Sequence, residues 1–332
     1  MTDAAPTNAA NADTSSATGS IGATNGIGAC TEAPSQPRQD PLSVFQVGAL
    51  SRSGTATQAQ QQLCAQFADH RGRIDLPTYG VLFDHIGGIP FAVTASASGA
   101  LSLQARLTMS ALGHVNVDDR LICDADVAMA DDHTGVTPVS IRTQSGRLCC
   151  IGTARNMRVG RLAADDTSAA AMAALPDCTD AQGIRLPEPI PPTLSGRDII
   201  TQIAAQTREI GPLASLLNGR VELIDERGAL RFTATTESWM GNHFGTMHGG
   251  VIATIVGQAI SLAGQAQAAA GRDYQIAEMS AGFFRSPAVD GAAVIVEVDL
   301  VKAGRRVASF IARMSTHDGT LLCEAVADVH FR

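Results

Sequence analysis

Asn242-His-Phe-Gly-Thr-Met-His-Gly-Gly250 runs straight into the apolar stretch Val251-Ile-Ala-Thr-Ile-Val256. His248 and the two glycines open what reads as a buried helix, and Asn242 stands six positions ahead of the histidine. The first backbone N–H groups of a helix have no intrahelical acceptor and carry the positive end of the helix dipole. Glycine at that point lets a ligand oxygen approach the bare backbone. A corner of this kind binds anions, polarises a carbonyl and stabilises the oxyanion formed when that carbonyl is attacked.

A shift of 173 positions lays Gly80-Val-Leu-Phe-Asp84 over Ala253-Thr-Ile-Val-Gly257, and Gly146-Arg-Leu-Cys-Cys150 over Gly319-Thr-Leu-Leu-Cys323. Two anchors in one register imply a degenerate tandem repeat. Each half reads as a central apolar helix followed by four strands. The first half predicts a helix over 77–96 and strands over 100–111, 119–130, 134–143 and 147–158. The second predicts a helix over 248–270 and strands over 274–285, 292–302, 305–315 and 320–331. Turn signals such as Ser145-Gly146 and His317-Asp318-Gly319 separate them. A hairpin over 219–236 precedes the second helix. Its counterpart falls near 42–50 and 56–67, where strand and helix both stay open but the Gln-rich Thr57–Phe67 suits a helix better. Ala-rich 163–175 and the cluster Pro187, Pro189, Pro191 and Pro192 form a stiff connector. An amphipathic helix starting at Gly196 follows. The expected boundaries are a disordered tail at 1–40, domains at 41–162 and 196–332, and a linker at 163–195.

The 332 residues suit two domains of about 150 each. A net charge of −8 argues against a nucleic-acid surface, and Lys302 is the one lysine, so no polybasic lysine patch exists. An anionic ligand falls to arginine or backbone. Seven cysteines, odd in number and without C-x-x-C, suggest reduced thiols and a cytoplasmic setting. Residues 1–40 lack the features of a secretory signal or a mitochondrial presequence. No apolar run reaches the roughly 18 residues expected of a membrane span, the nearest being broken by Gly257 and Gln258.

The Asn-x5-His-Gly-Gly pattern, with the apolar helix behind it, resembles the hotdog-fold acyl-CoA thioesterases of the PaaI type. The resemblance implies an α+β chain of two tandem hotdog folds, each an antiparallel sheet wrapped around a central helix, forming an intrachain pseudo-dimer. It also implies a shared site. One subunit supplies the Asn and the His-Gly-Gly helix start. The other supplies an acid nine residues beyond its own His position, and a serine or threonine on the next strand. In the second half the acid position is Gly257. In the first half Asp69 stands at the Asn position and Asp75-Leu76-Pro77 at His-Gly-Gly, yet Asp84 occupies the acid position and Ser102 follows 18 residues later. The two halves therefore complement each other, predicting one full site and one empty one.

By this resemblance Asn242 and His248 orient the substrate, and the Gly249 N–H holds the carbonyl oxygen with Gly250 beside it. Asp84 activates water or attacks directly, and Ser102 steers the water. Arg155 and Arg158 are candidates for the coenzyme A phosphates. Arg161 and the Arg305-Arg306 pair belong to the same group, and a solvated strand edge is the better reading for most of these arginines. His85, next to Asp84, is read as structural, pointing elsewhere on the helix. The expected partner is acyl-CoA, with no cofactor, metal, nucleic acid or membrane, and a homo-oligomer of double-hotdog chains is compatible. Two alternatives remain: a hotdog hydratase or dehydratase, whose usual D-x-x-x-x-H signature is not apparent, and a non-catalytic acyl-CoA-binding module. No G-x-S-x-G elbow or phosphate-binding loop is present.

Overall fold

Residues 134–143 bury every second side chain, the period of a strand with one face on a core. The same alternation recurs along most strands of the computed structural model, which describes residues 39–94, 100–162, 183–225 and 228–332. The expectations for the first 38 residues and for 163–175 lie outside the described residues.

The first half runs α1 (Pro41–Val44), β1 (Val47–Ser53), β2 (Ala56–Gln62), α2 (Gly80–Thr94), β3 (Ala100–Ala111), β4 (Arg120–Ala125), β5 (Met129–Ala130), β6 (Thr134–Thr143) and β7 (Leu148–Leu162). After α3 (Gly196–Ala204), the second half repeats the plan. It runs α4 (Pro212–Leu216), β8 (Arg220–Leu223), β9 (Leu230–Thr235), α5 (Gly249–Gln267), β10 (Tyr274–Phe283), β11 (Ala293–Ala303), β12 (Val307–Thr316) and β13 (Leu321–Phe331). One antiparallel sheet carries the order β1-β2-β4-β6-β7-β3-β10-β13-β12-β11-β9-β8, with β5 paired to β6. That order is a palindrome of equivalent strands about the β3–β10 seam, where Met109 pairs with Met279. The described residues of both halves belong to one compact unit.

Two predicted segments differ in detail. The strand expected over 119–130 breaks after Ala125, because Asp126 Oδ1 accepts from the Val127 N–H and from Thr55 Oγ, which turns the chain. Gln-rich 56–67 is a strand to Gln62, then a 3-10 turn at Ala65–Phe67. Its glutamines hold neighbouring segments: Gln61 Nε2 donates to the Phe45 carbonyl at 3.0 Å, and Gln58 Nε2 to Asp124 at 2.7 Å.

α5 is long and apolar enough in composition to cross a membrane, but 89% of its most apolar window is buried in this fold. It is a core helix, and α2 crosses it at their N-terminal ends. Glycine permits the approach. A Cβ on Gly250 would lie 2.5 Å from Val81 Cα, and one on Gly80 would lie 2.7 Å from the Gly250 oxygen. Thr254 Oγ1 donates across the crossing to the Pro77 carbonyl at 2.9 Å.

The loops ahead of the two helices are duplicates at the hydrogen-bond level. Asn242 Oδ1 accepts from the N–H groups of Phe244 (2.9 Å) and Thr246 (3.2 Å). Asp69 Oδ1 accepts from those of Arg71 (2.7 Å) and Arg73 (3.2 Å), the same offsets. Gly245 and Gly72 hold the matching left-handed turn, with φ of 78° and 75°.

Candidate active site

His248 is the N-cap of α5, its backbone extended (φ −65°, ψ 135°), and the helix begins at Gly249. Asp84 lies on α2, only 8% exposed, and its side chain reaches across to that helix start. Its Oδ2 accepts from the Gly250 N–H at 2.8 Å and stands 3.0 Å from His248 Nδ1. Gly250 N and His248 Nδ1 are themselves 3.0 Å apart. Three atoms cannot all be paired with two hydrogens in every direction. The arrangement without lone-pair repulsion has Nδ1–H and the Gly250 N–H both donating to Oδ2. The helix dipole further favours a carboxylate there.

Two groups remain unspent. Among the described residues, Asp84 Oδ1 has no hydrogen-bond donor and the Gly249 N–H no acceptor. A Cβ on Gly249 would fall 2.9 Å from Asp84 Oδ1, so the free carboxylate oxygen faces the bare backbone of the first helical residue. A carboxylate oxygen able to take a proton thus adjoins an N–H able to hold an oxygen.

The other sequence candidates are placed differently. Asn242 spends its oxygen on its own loop, and its Nδ2 donates to Thr246 Oγ1 at 3.2 Å. It shapes the loop that delivers His248, and no bond joins it to Asp84. Ser102 is half-buried on β3 without a hydrogen bond to Asp84, His248 or α5. The strand residue that touches Asp84 is Gln104, two positions on and on the same face, whose Nε2 donates to the Asp84 main-chain oxygen. Asn156 Nδ2 likewise donates to the Gly87 oxygen at 2.9 Å. Together these two side chains hold α2 to the sheet beside its internal Pro90. Residue spacing could have pointed to Gln104 through strand alternation, but not to its backbone target.

The paired phosphate-binding role expected of Arg155 and Arg158 does not fit the strand. Arg155 is exposed on the face opposite the core-facing Ala154 and Asn156, whereas Arg158 lies on their side. Arg158 donates to Thr94 Oγ1 and to the Asp132 oxygen, both at 3.0 Å, and packs over Phe91. It anchors the far end of α2, ten residues from Asp84 and about 15 Å along the helix.

At the pseudo-symmetric position the corner is filled. Asp75 caps a 3-10 turn over Leu76–Tyr79, accepting from the Leu76 N–H at 2.8 Å. Gly257 faces Pro77, whose Cγ is 3.0 Å from where a Cβ would stand. Buried Arg71 joins Asp69 (2.5 Å), Asp75 (3.2 Å) and Asp273 (3.1 Å), with its guanidinium 3.5 Å from the Tyr274 ring centre. Burial pushes the Asp75 carboxyl up to about 6 despite the pull of Arg71. At Asp69 burial also raises the value, but Arg71 and His70 outweigh it and the net direction is down. This half holds a structural ion cluster where the other holds an acid at a helix start.

A cleft of about 1060 Å³ lies elsewhere, on the first-half sheet between Ser51–Gln58, Asp124–Ala128 and Ile151–Thr153. None of its lining residues belongs to the Asp84–His248 cluster.

Residues 244–323 match the family model of the thioesterase superfamily. No curated protein matches the chain in sequence. Among solved structures, the tesB protein of Mycobacterium avium subspecies paratuberculosis aligns with a TM-score of 0.53 at 10% identity, covering 87% of this chain and 97% of its own. A hot dog fold protein of Alicyclobacillus acidocaldarius aligns with a TM-score of 0.52 at 14% identity, covering 86% and 96%. An acyl-ACP thioesterase of Bacteroides thetaiotaomicron aligns with a TM-score of 0.50 at 10% identity, covering 84% and 98%. The chain has the tandem hotdog fold, and within its second half residues 244–323 match the thioesterase-superfamily model.

Proposed function

We propose that this chain hydrolyses acyl-CoA thioesters at one composite site, built from Asp84 of the first repeat and the His248-Gly249-Gly250 helix start of the second. The observation that carries this reading is the anchoring of Asp84 Oδ2 by the Gly250 N–H at 2.8 Å. The superfamily match of residues 244–323 supports the choice of thioester as substrate.

In this reading the Gly249 N–H receives the thioester carbonyl oxygen, an interaction that strengthens as the oxygen becomes an oxyanion; one such donor contributes on the order of 10²–10³ in rate. Asp84 Oδ1 takes a proton from water as the water oxygen bonds to the carbonyl carbon, general-base assistance of about 10²–10⁴. The C–S bond then breaks, and coenzyme A leaves as thiolate and is protonated. Anchoring Oδ2 leaves the carboxylate little freedom to swing onto the carbonyl carbon, which favours the general-base route over an anhydride. His248 holds Oδ2 and so fixes the direction of Oδ1. With only 4% aromatic residues in the chain, a small-to-medium aliphatic acyl group is the expected substrate. No disulfide joins the cysteines among the described residues, which suits a cytoplasmic enzyme.

Thiol release measured over a panel of aliphatic and aryl acyl-CoA esters tests the proposal. Turnover of one or more aliphatic esters is expected. Protection of the fold by acyl-CoA without any thiol release would make the chain a binding module instead.

A further inference from the structure

The β3–β10 seam joins the two repeats through pairs that run from Ser110–Glu278 to Arg106–Gly282. Beyond Arg106–Gly282 no bridge joins the two segments among the described residues, although β3 extends back to Ala100. The chain after Gly282 stays with β13 instead. Phe283 pairs with Cys323, and the N–H groups of Phe284 and Arg285 both donate to the Leu322 oxygen, at 2.9 and 3.2 Å. With both N–H groups turned to β13, neither is left for β3.

Both sides of this gap abut the Asp84–His248 corner. On one side Gln104 Nε2, on β3, donates to the Asp84 main-chain oxygen. On the other, the Pro287 oxygen accepts from the Met247 N–H at 2.8 Å, one residue before His248. A passage between 101–105 and 284–287 therefore leads from the outer face of the sheet to the corner. The opposite end of the same seam reaches the filled corner, where the Ile276 N–H donates to Asp75 at 3.4 Å, and that end is stapled. Gln275 Nε2 donates to the Gly113 oxygen at 2.7 Å, and Arg332 donates to Gln275 Oε1 at 2.8 Å and stands 3.2 Å from His114 Nε2. Of the two ends, the one that reaches the unspent groups is the open one.

The open end is apolar at its lips and basic around them. Leu103, on the strand face opposite Gln104, is 41% exposed, and Phe284 is 55% exposed. Arg106 and Arg285 are exposed beside them. Arg106 lies over the last pair of the seam. Its Nη1 donates to Ser280 Oγ at 3.1 Å, and its Nη2 stands 3.0 Å from where a Gly282 Cβ would be. Glu324, opposite Gly282 on β13, is itself paired with Arg313 at 2.9 Å.

We infer that the open end of the β3–β10 seam admits the leaving arm of the thioester: the pantetheine chain passes between Leu103 and Phe284, and Arg106 and Arg285 hold the phosphates of coenzyme A at the outer mouth. Guanidinium groups suit that role because they form charge-assisted, forked hydrogen bonds to phosphate oxygens. The acyl carbonyl then meets the Gly249 N–H and Asp84 from the side of the sheet. These two arginines take the phosphate contacts for which Arg155 and Arg158 are ill placed. This inference rests on the thioesterase reading.

The test places one acyl group on two thiols: coenzyme A, and N-acetylcysteamine, which keeps the thioester and the end of the pantetheine arm but carries no phosphate. Wild type, Arg106→Gln, Arg285→Gln and Leu103→Trp are compared in steady-state thiol release, with melting temperatures measured alongside. Each arginine variant should lower the ratio of kcat/KM for the coenzyme A ester to that for the N-acetylcysteamine ester by about tenfold, the loss of one charge-assisted bond. The loss should appear in KM for the coenzyme A ester, and the wild-type KM should rise with ionic strength. Leu103→Trp narrows the passage and should lower kcat/KM for both esters. All three side chains are exposed, so the variants should melt near wild type. An unchanged ratio in both arginine variants would overturn the phosphate assignment, and wild-type kcat/KM in a folded Leu103→Trp protein would overturn the passage. Either result leaves the thioesterase reading intact. Absence of thiol release from both esters by the wild type would remove that reading and this inference with it.

Discussion

Asp84 Oδ2 and the Gly250 N–H, 166 positions apart in the chain, meet at 2.8 Å across the crossing of the two central helices. The carboxylate of one repeat thereby substitutes for an N-cap side chain at the helix start of the other. The same bond holds the acid against the one helical N–H that could receive a substrate oxygen.

The two glycines of that helix start separate function from packing. The three atoms nearest to a Cβ at Gly249 all belong to the Asp84 carboxylate, at 2.9–3.3 Å. A Cβ at Gly250 meets the backbone of Gly80 and Val81 at 2.5–2.9 Å. Gly249→Ala should fold with a near-wild-type melting point and lose about tenfold or more in kcat by displacing Asp84. Gly250→Ala should lose about 1–3 kcal/mol of stability through overpacking. Thermal melts and thiol release on both variants check the contrast, and a reversed ranking would contradict it.

Asn242 is a loop clamp, so its removal should be felt first in stability. Asn242→Ala leaves two backbone N–H groups without their acceptor, at a cost of about 1–2 kcal/mol. Asn242→Asp should be tolerated better, because Asp69 performs the same two bonds in the first repeat. Denaturant titration of the pair decides the point; equal stability of the alanine variant and wild type would free Asn242 for another role.

The filled corner has a pH signature. Because the folded Asp75 carboxyl is raised to about 6, the native state binds a proton there that the unfolded chain has released. Its contribution is full below about pH 4 and is lost as the pH rises through about 6, so stability falls across that window. Asp69, shifted down, acts with the opposite sign and only at lower pH. The melting point of Asp75→Asn relative to wild type should therefore rise between pH 4 and pH 6.5. Parallel pH profiles would show that Asp75 does not titrate in this window.

Sequence patterns reached the duplicated plan because apolar periodicity and turn residues act locally and recur at one offset. Asp84 came from the resemblance to the PaaI-type enzymes, whose acid position falls on Asp84 in the first half and on Gly257 in the second. Other features depend on direction in space, which spacing does not encode. Asn242 faces its own loop, Arg155 and Arg158 lie on opposite faces of one strand, and Gln104 binds a main-chain oxygen that no side-chain pattern announces. The mixed strand and 3-10 character of Thr57–Phe67 was open in the sequence because its glutamines choose a strand only when their partners on β4 and near Phe45 are in place.

The most direct measurement is steady-state acyl-CoA hydrolysis by Asp84→Asn, with its melting temperature recorded on the same sample. Asparagine keeps an oxygen to accept the Gly250 N–H, so the fold should persist, while a side chain unable to take a proton should lower kcat by about 10² or more. Near-wild-type turnover in a folded Asp84→Asn protein would contradict the composite site.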